Sequence, residues 1–434
     1  MAQFKPGTVL KTQLGLSVVI DSYIAGGGQG DVYKVTYEGK KKALKWYKPG
    51  VFKNPEAFRK NLENNVKKGA PDKSFLWPEA VALSNDGSGS FGYIMDLRPD
   101  SYKELTYFLC TSGGGGFKSF KAVVEAGIQI VSAFRLLHIN GYSYQDMNSG
   151  NFFIEPETGK VLICDNDNVA PNGTSTGIVG TPQYMAPEIV VGKAKPSART
   201  DEFSLAVVLF MLLFTGHPLE GAHWAVPCLT PDIERALYGD KALFIFDPGD
   251  SSNRPVRGVH NNVLRIWGFM PQYVKDIFIR AFSQEAINDP NRRIKELDWL
   301  KVLVRFQSDI VRCPFCRNEI FVIGASSTKC DRCGKLYEVK NKLKLYEYSV
   351  TAAKKTRIYR CQLGICNAAD ALNPAADVIE KNGDPNLLGL RNVTNTIVSA
   401  STPSGKVNQV KPGEIIPLKA GISVKIFGGS IDIQ

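Results

Sequence analysis

A chain of 434 residues, 44% hydrophobic and 22% charged, has the composition of a globular protein with two to four domains of the usual ~150 residues, which excludes a disordered or membrane-embedded chain. Its formal charge of +11 is uneven, because from Lys301 onward 20 Lys or Arg stand against 11 Asp or Glu. That excess reads as a solvated basic face, with attraction to acidic proteins or nucleic acid as the competing use. Met1 to Leu10 has no signal-like apolar run, and the longest apolar stretch, Leu205 to Phe214, is about half of the ~20 residues a membrane span needs. Nine cysteines, four of them in two C-x-x-C pairs, do not make a secreted disulfide framework. A cytoplasmic location without a membrane partner is expected.

In chain order, Ser17 to Ile24, Asp31 to Tyr37 and Lys41 to Trp46 read as strands separated by turns at Gly26 to Gly30 and Glu38 to Gly39. A polar helix, Pro55 to Lys68, precedes two more strands, Ala80 to Leu83 and Phe91 to Leu97, giving a lobe of five strands and one helix. A loop of glycines follows at 113 to 116. From Phe120, Val123, Gly127, Ile130, Val131, Phe134 and Leu137 recur at helical spacing as far as Asn140. Leu205 to Phe214, Tyr273 to Phe282 and Leu297 to Gln307 are further helices. After Ile310 the sequence is short-stranded and punctuated by turns at 383 to 385, Pro403 to Gly405, Pro412 to Gly413 and Gly421.

Three segments carry phosphate chemistry. Ile24-Ala25-Gly26-Gly27-Gly28-Gln29-Gly30-Asp31-Val32 sits between two strands, where a hairpin of little bulk can lie over phosphates and offer backbone N–H groups; a plain flexible hairpin is the bland alternative. Ala43-Leu44-Lys45 resembles the V-A-I-K pattern, whose lysine meets the α- and β-phosphates, and Glu63, with Glu56 as rival, is its expected helix partner. Tyr144-Gln145-Asp146-Met147-Asn148-Ser149-Gly150-Asn151, followed by Asp165-Asn166-Asp167, supplies a carboxylate to accept the proton of an attacking hydroxyl (Asp146). The same run supplies an amide and a second carboxylate to hold Mg²⁺, or Mn²⁺ (Asn151, Asp165).

On these segments and on Gly180-Thr181-Pro182-Gln183-Tyr184-Met185-Ala186-Pro187-Glu188, residues 15 to 308 resemble the eukaryotic-like (Hanks-type) serine/threonine protein-kinase superfamily as found in bacteria. The resemblance implies an α+β, bilobal fold with an N-lobe over 1–97 and a C-lobe over 98–308. It implies an ATP site formed by Ile24, Gly26, Gly27, Gly28, Gly30, Val32, Ala43, Lys45, Glu63, Met95, Asp96, Leu97, Asn151 and Asp165, with Met95 guarding the adenine pocket. Thr181 would bond Asp146 through its hydroxyl and shape a platform for Ser or Thr. Asp201 would brace the catalytic loop, and Arg293 would pair with Glu188. Ala25 departs mildly from the family's first loop glycine. Tyr144 and Gln145 stand where His-Arg is usual, which removes the partner of a loop phosphate at Thr174, Ser175 or Thr176. Asn166 and Asp167 replace Phe-Gly, which would put a charge beside the metal. Asn148 replaces a lysine that faces the transferring phosphate, and this argues for slow transfer.

Cys313-Pro314-Phe315-Cys316 and Cys330-Asp331-Arg332-Cys333 have the spacing of a closed Cys₄ site for structural Zn²⁺, so 309–342 reads as a zinc ribbon. The remainder, 343–434, reads as a small all-β domain reminiscent of peptide-binding β sandwiches, with turn-bounded strands around Gly389 to Asn392, Lys411 to Glu414 and Leu418 to Gly421. That order of parts resembles kinases of bacterial tellurium-resistance gene neighbourhoods, which implies protein substrates, a von Willebrand-type protein and a metal-dependent phosphatase as partners. Two rivals stay open. One is a pseudokinase scaffold that binds nucleotide and signals through its appended domains. The other is a nucleic-acid reader built on the ribbon and basic tail, for which Tyr346, Tyr348 and Tyr359 among Lys354, Lys355 and Arg357 make only a modest stripe, so no nucleic-acid partner is expected.

Overall fold

The computed structural model describes all residues except 1, 2, 85, 86, 111–115, 178, 179, 365, 368, 382 and 383, together with the side chains of 385 and 386. Most of the glycine loop expected at 113 to 116, and part of the turn expected at 383 to 385, therefore lie outside the described residues. The chain divides into two compact units, one of Met1–Lys118, Ser132–Gly268 and Phe278–Ile294, the other of Ser119–Val131, Phe269–Ile277 and Lys295–Gln434.

The first unit begins with β1 (Val9–Thr12), β2 (Ser17–Gly26), β3 (Gly30–Tyr37), β4 (Lys40–Tyr47), α1 (Pro55–Lys68), β5 (Ala80–Leu83) and β6 (Phe91–Asp96). The strands close into a barrel in the order β1-β2-β3-β4-β6-β5. The closing strand β1 was not expected from sequence; it pairs Lys11 with Leu83 and Thr12 with Ala82, so its edge is covered. Alternation along β4 decides the rest. Leu44 and Trp46 join Val18, Ile20, Tyr33 and Val35 inside the barrel, while Ala43 and Tyr47 pack with Phe58 and Leu62 of α1. Helix α1 starts where Asn54 accepts a hydrogen bond from the Ala57 amide with Pro55 in the first turn, and stops at Gly69, whose φ of +75° an L side chain resists.

There follow β7 (Lys103–Glu104), α2 (Leu105–Cys110), α3 (Phe120–Ile139), β8 (Tyr142–Ser143), β9 (Phe152–Ile154), β10 (Val161–Ile163) and β11 (Ala170–Pro171), then α4 (Pro187–Val190), α5 (Ala198–Phe214) and α6 (Pro231–Tyr238). Helix α3 is long and apolar enough to cross a membrane, but most of that stretch is buried in the protein. Helix α5 begins at a Ser197–Thr200 capping box and is buried along nearly its whole length, matching its continuous apolar sequence. Beyond α7 (Asn261–Phe269), α8 (Gln272–Ala281) and α9 (Gln284–Asn288), Arg293 makes a bidentate pair with Glu188, both N–H···O distances 2.7 Å, as the sequence predicts.

In the second unit α10 (Glu296–Asp309) buries Trp299, Leu303 and Phe306. Its last residue, Asp309, is only 2% exposed and accepts a 2.6 Å hydrogen bond from the Tyr273 hydroxyl, with the Arg305 guanidinium over the Tyr273 ring. Two hairpins follow, β12 (Ile310–Arg312) with β13 (Glu319–Phe321) and β14 (Ser327–Lys329) with β15 (Leu336–Glu338). The carboxylate of Glu319 accepts the Phe120 and Lys121 amides, capping the start of α3. The remaining strands, from Lys342–Lys344 to Gly429–Ile433, form a six-stranded and a four-stranded antiparallel sheet around one core that includes Leu343, Ile358, Val378, Leu390, Val424 and Ile431.

Candidate active site

The glycine hairpin between β2 and β3 is tightened by a 2.8 Å hydrogen bond from the Gly27 amide to the Gly30 carbonyl. At Gly30 a Cβ would lie 2.3 Å from the Trp46 carbonyl oxygen, so only glycine lets β3 approach β4 there. Ile24 is exposed at the lip. Val32, Ala43, Met95 and Leu97 share one apolar cluster with Leu162 and Cys164, and Ala43 sits opposite Met95 in the β4–β6 register. Leu162 was missed by the sequence reading; its position in the β9–β10 hairpin was the available signal. Asp96, expected in the ATP site, is exposed and paired with Lys42 at 2.6 Å.

Lys45 is 6% exposed, with its ammonium 3.1 Å from Asp165 and 3.0 Å from Asp167. Burial alone would lower its pKa, but the two carboxylates, Asp167 foremost, outweigh that and hold it above the usual lysine value. Gln29, from the hairpin, also accepts from Lys45 at 3.3 Å. The pairing with Glu63 does not form. Glu63 is held by Arg59 at 3.5 Å, because α1 turns Phe58, Leu62 and Asn65 inward and leaves Glu63 on its flank. Glu56, the rival partner, is exposed.

The loop from Tyr144 to Asn151 is fixed by Asp201, which accepts the Tyr144 amide at 2.6 Å and the Gln145 amide at 3.4 Å and meets His138 at 3.1 Å. Tyr144 is fully buried against Phe134 and donates its hydroxyl hydrogen bond to the Cys164 carbonyl, linking this loop to the start of Asp165-Asn166-Asp167. Asn151 donates from its amide to the Asp146 carbonyl at 2.9 Å, leaving its amide oxygen for a cation. Asn148 and Asn168 each place an amide 3.5 Å from the Asp146 carboxylate. Burial raises the pKa of Asp146, opposed by the Asn148 hydrogen bond, so this carboxylate gains a proton at a higher pH than an ordinary aspartate. Thr181 meets Asp146 through its backbone, not through the expected hydroxyl bond.

The departures at 166 and 167 have structural roles. Asn166, fully buried, donates to the Leu76 and Ile163 carbonyls at 2.8 Å each. The carboxylate of Asp167 shares the Lys45 ammonium with Asp165 and also accepts from Tyr47 at 2.6 Å and Tyr93 at 3.3 Å. Asp165 projects from a left-handed backbone (φ +52°), a conformation rare for aspartate and costing on the order of 1 kcal/mol or more. Gln145, also at positive φ (+73°), donates to the Thr174 carbonyl at 2.9 Å and accepts from the Thr176 amide at 3.1 Å.

The four cysteines of the second unit come together, all sulfurs within 4.8 Å of one another. The two turns are built alike: Arg317 and Gly334 both have positive φ, and their amides bond the Cys313 and Cys330 carbonyls at 2.9 and 2.8 Å. Sulfur separations of 3.8 Å (Cys313–Cys333) and 3.6 Å (Cys316–Cys330) fit a tetrahedral ion with bonds of ~2.3 Å, which sets its sulfurs ~3.8 Å apart.

Residues 103–226 match the family described as "Protein kinase domain". Among curated proteins, the serine/threonine-protein kinase nrc-2 of Neurospora crassa is 24% identical over 238 residues, 45% of this chain and 36% of that protein. The protein kinase C delta type of Mus musculus is 31% identical over 111 residues, 25% of this chain and 16% of that one. Serine/threonine-protein kinase Sgk1 of Xenopus tropicalis is 33% identical over 91 residues, 20% and 21% respectively. The chain thus spans about a third or less of the length of these relatives. The PknI kinase domain of Mycobacterium tuberculosis, a C20A_R136A double mutant, superposes with a TM-score of 0.47 at 15% identity, covering 70% of this chain and 98% of that one. Residues 103–226 thus resemble a protein kinase domain, and the curated proteins similar to the chain include serine/threonine-protein kinases.

Proposed function

We propose that the protein transfers the γ-phosphate of ATP to Ser or Thr hydroxyls of protein substrates. The observation that carries this reading is the proximity of the Asp146–Asn151 pair to the Asp165–Lys45 pair, with Gln29 of the glycine hairpin on Lys45, the set that phosphoryl transfer needs. In it Asp146 takes the proton of the substrate hydroxyl as its oxygen bonds to the γ-phosphorus and the bond to the β-phosphate oxygen breaks, releasing ADP. Lys45 meets the α- and β-phosphates. The cluster of Val32, Ala43, Met95, Leu97 and Leu162 offers the adenine an apolar slot. Asn151 and Asp165 would hold Mg²⁺ or Mn²⁺, which when bound neutralises phosphate charge. Thr181 at the platform favours a short hydroxyl side chain.

Gln145 bonds the main chain at 174 and 176 directly, so activity independent of loop phosphate follows from this reading. The cysteine cluster is taken as a structural zinc ribbon, and with the β sandwich it serves to position substrates. The finer expectation of a cytoplasmic kinase of the tellurium-resistance kind, working beside a von Willebrand-type protein and a metal-dependent phosphatase, is supported by the order of these parts alone. The test is incubation of the full chain with labelled ATP and Mg²⁺, followed by acid hydrolysis of the product. Phosphoserine or phosphothreonine supports the reading, phosphotyrosine as the main product contradicts it, and nucleotide binding without transfer makes the chain a scaffold.

A further inference from the structure

The lysine of a phosphate site needs a carboxylate that fixes its ammonium without taking it from the nucleotide. Here the geometry points to Asp167 as that positioning residue, in place of a glutamate on helix α1, sharing the ammonium with Asp165 so that Asp165 is not its sole counter-ion. The proposal rests on the kinase reading above.

Three observations carry it. First, Asp167 is fully buried, and among the described residues the polar contacts of its carboxylate come from one wall: Lys45 at 3.0 and 3.2 Å, Tyr47 at 2.6 Å and Tyr93 at 3.3 Å. Lys45 and Tyr47 are two residues apart on β4 and so share a face, and Tyr93 is the β6 residue directly opposite Lys45. The two strands thus present one ammonium and two hydroxyls as a ready-made cradle for a single carboxylate. Second, the helix carboxylate is engaged elsewhere, Glu63 being half-exposed beside Arg59. Third, α1 is tied to this segment by different chemistry, since the Asn61 and Asn65 amides both donate to the Val169 carbonyl, at 2.8 and 2.9 Å.

The consequence is mechanical. With two carboxylates at one buried ammonium, loss of Asp167 leaves Asp165 as the sole counter-ion, drawn toward Lys45 and away from a metal. Because Asp165 and Asp167 lie within one turn, the lysine anchor and the metal ligand are set together, and rotation of α1 does not break the pair.

The test uses the full chain and three variants, Asp167→Asn, Asp167→Glu and Glu63→Gln, with kcat and KM for ATP measured across a Mg²⁺ titration. Asp167→Asn should raise KM for ATP and the Mg²⁺ midpoint at least about ten-fold, Asp167→Glu should recover part of that, and Glu63→Gln should stay within about two-fold. Ten-fold loss in Glu63→Gln with Asp167→Asn near wild type overturns the proposal. A second readout needs no turnover: acetic anhydride labelling read by mass spectrometry. Lys45 should acetylate faster in Asp167→Asn and at the wild-type rate in Glu63→Gln, and the reverse order overturns the assignment even if the chain transfers no phosphate. An inactive wild type with the predicted labelling order removes the kinase reading and leaves the ion pair standing. Should Asp167→Asn fail to fold, Tyr47→Phe, which removes one hydrogen bond to Asp167, takes its place in both readouts. Faster labelling of Lys45 in that variant supports the pair, and an unchanged rate overturns it.

Discussion

Replacing Asp309 by Asn should stabilise the second unit at neutral pH. The wild-type carboxylate is buried at the end of α10, and burial pushes its pKa up to about 6 from 3.8, with the Tyr273 hydrogen bond and Arg305 only partly offsetting that. A raised acid binds its proton more tightly in the folded state, so between pH ~4 and ~6 the folded chain carries more protons than the unfolded one and stability falls as pH rises. About two pH units at ~1.4 kcal/mol each give a penalty approaching ~3 kcal/mol, complete above pH ~6. Asn keeps an oxygen to accept from Tyr273 and carries no charge. Its gain should therefore be near zero at pH 4.5 and reach about 2 kcal/mol at pH 7.5, or several degrees in the melting temperature of a unit this size. Thermal melts of wild type and variant at half-unit pH steps check this. Parallel curves, or a variant less stable than wild type at pH 7.5, would refute the argument that Asp309 is held at the expense of its charge.

Chelation of zinc should release one equivalent per chain and melt the region of the two cysteine hairpins, read by metal analysis and by protease cleavage between 313 and 338; a metal-free chain of unchanged protease resistance contradicts a structural Cys₄ site. Triple substitution of Thr174, Ser175 and Thr176 by Ala should leave phosphate transfer within about two-fold, because the shorter Gln145 contacts, at 2.9 and 3.1 Å, run to main-chain atoms at 174 and 176 and only the 3.4 Å contact from the Thr176 hydroxyl is lost, whereas Gln145→Ala should slow it several-fold. An inactive triple mutant would restore loop phosphorylation as the control. Gly30→Ala should abolish transfer and cost more than ~2 kcal/mol of stability, since the Trp46 carbonyl occupies the Cβ position. Normal activity in that variant would mean the hairpin is free to move away from β4.

Much of the site could be read from residues alone because its chemistry is local. Asp146, Asn151 and Asp165 sit at fixed spacings around a short hairpin, and the four cysteines form two self-contained turns whose geometry needs no distant partner. What could not be read depends on register between segments far apart. Strand β1 pairs with its sequence neighbour β2, but the pairing that closes the barrel runs to β5, about 70 residues away. The partner of Lys45 was assigned by resemblance to helix α1, but the phase of that helix, set by Phe58, Leu62 and Asn65, turns Glu63 aside. Asp167 was read as a disturbance beside the metal. The compensating signals, Tyr47 two residues beyond Lys45 and Tyr93 on another strand, acquire meaning only once β4 and β6 are aligned.

The central claim, that this cleft transfers phosphate with divided roles for its two aspartates, is tested most directly by comparing Asp146→Ala with Asp165→Ala in transfer and in Mg²⁺-dependent ATP binding. Both variants should lose transfer of labelled phosphate by about 10³-fold or more, as expected when a group that acts on the reacting atoms is removed. Only Asp165→Ala should lose Mg²⁺-dependent affinity for ATP, because in the proposed division of roles Asp146 serves the substrate hydroxyl and not the metal. Equal loss of affinity in both variants, or transfer that survives Asp146→Ala, would contradict the account.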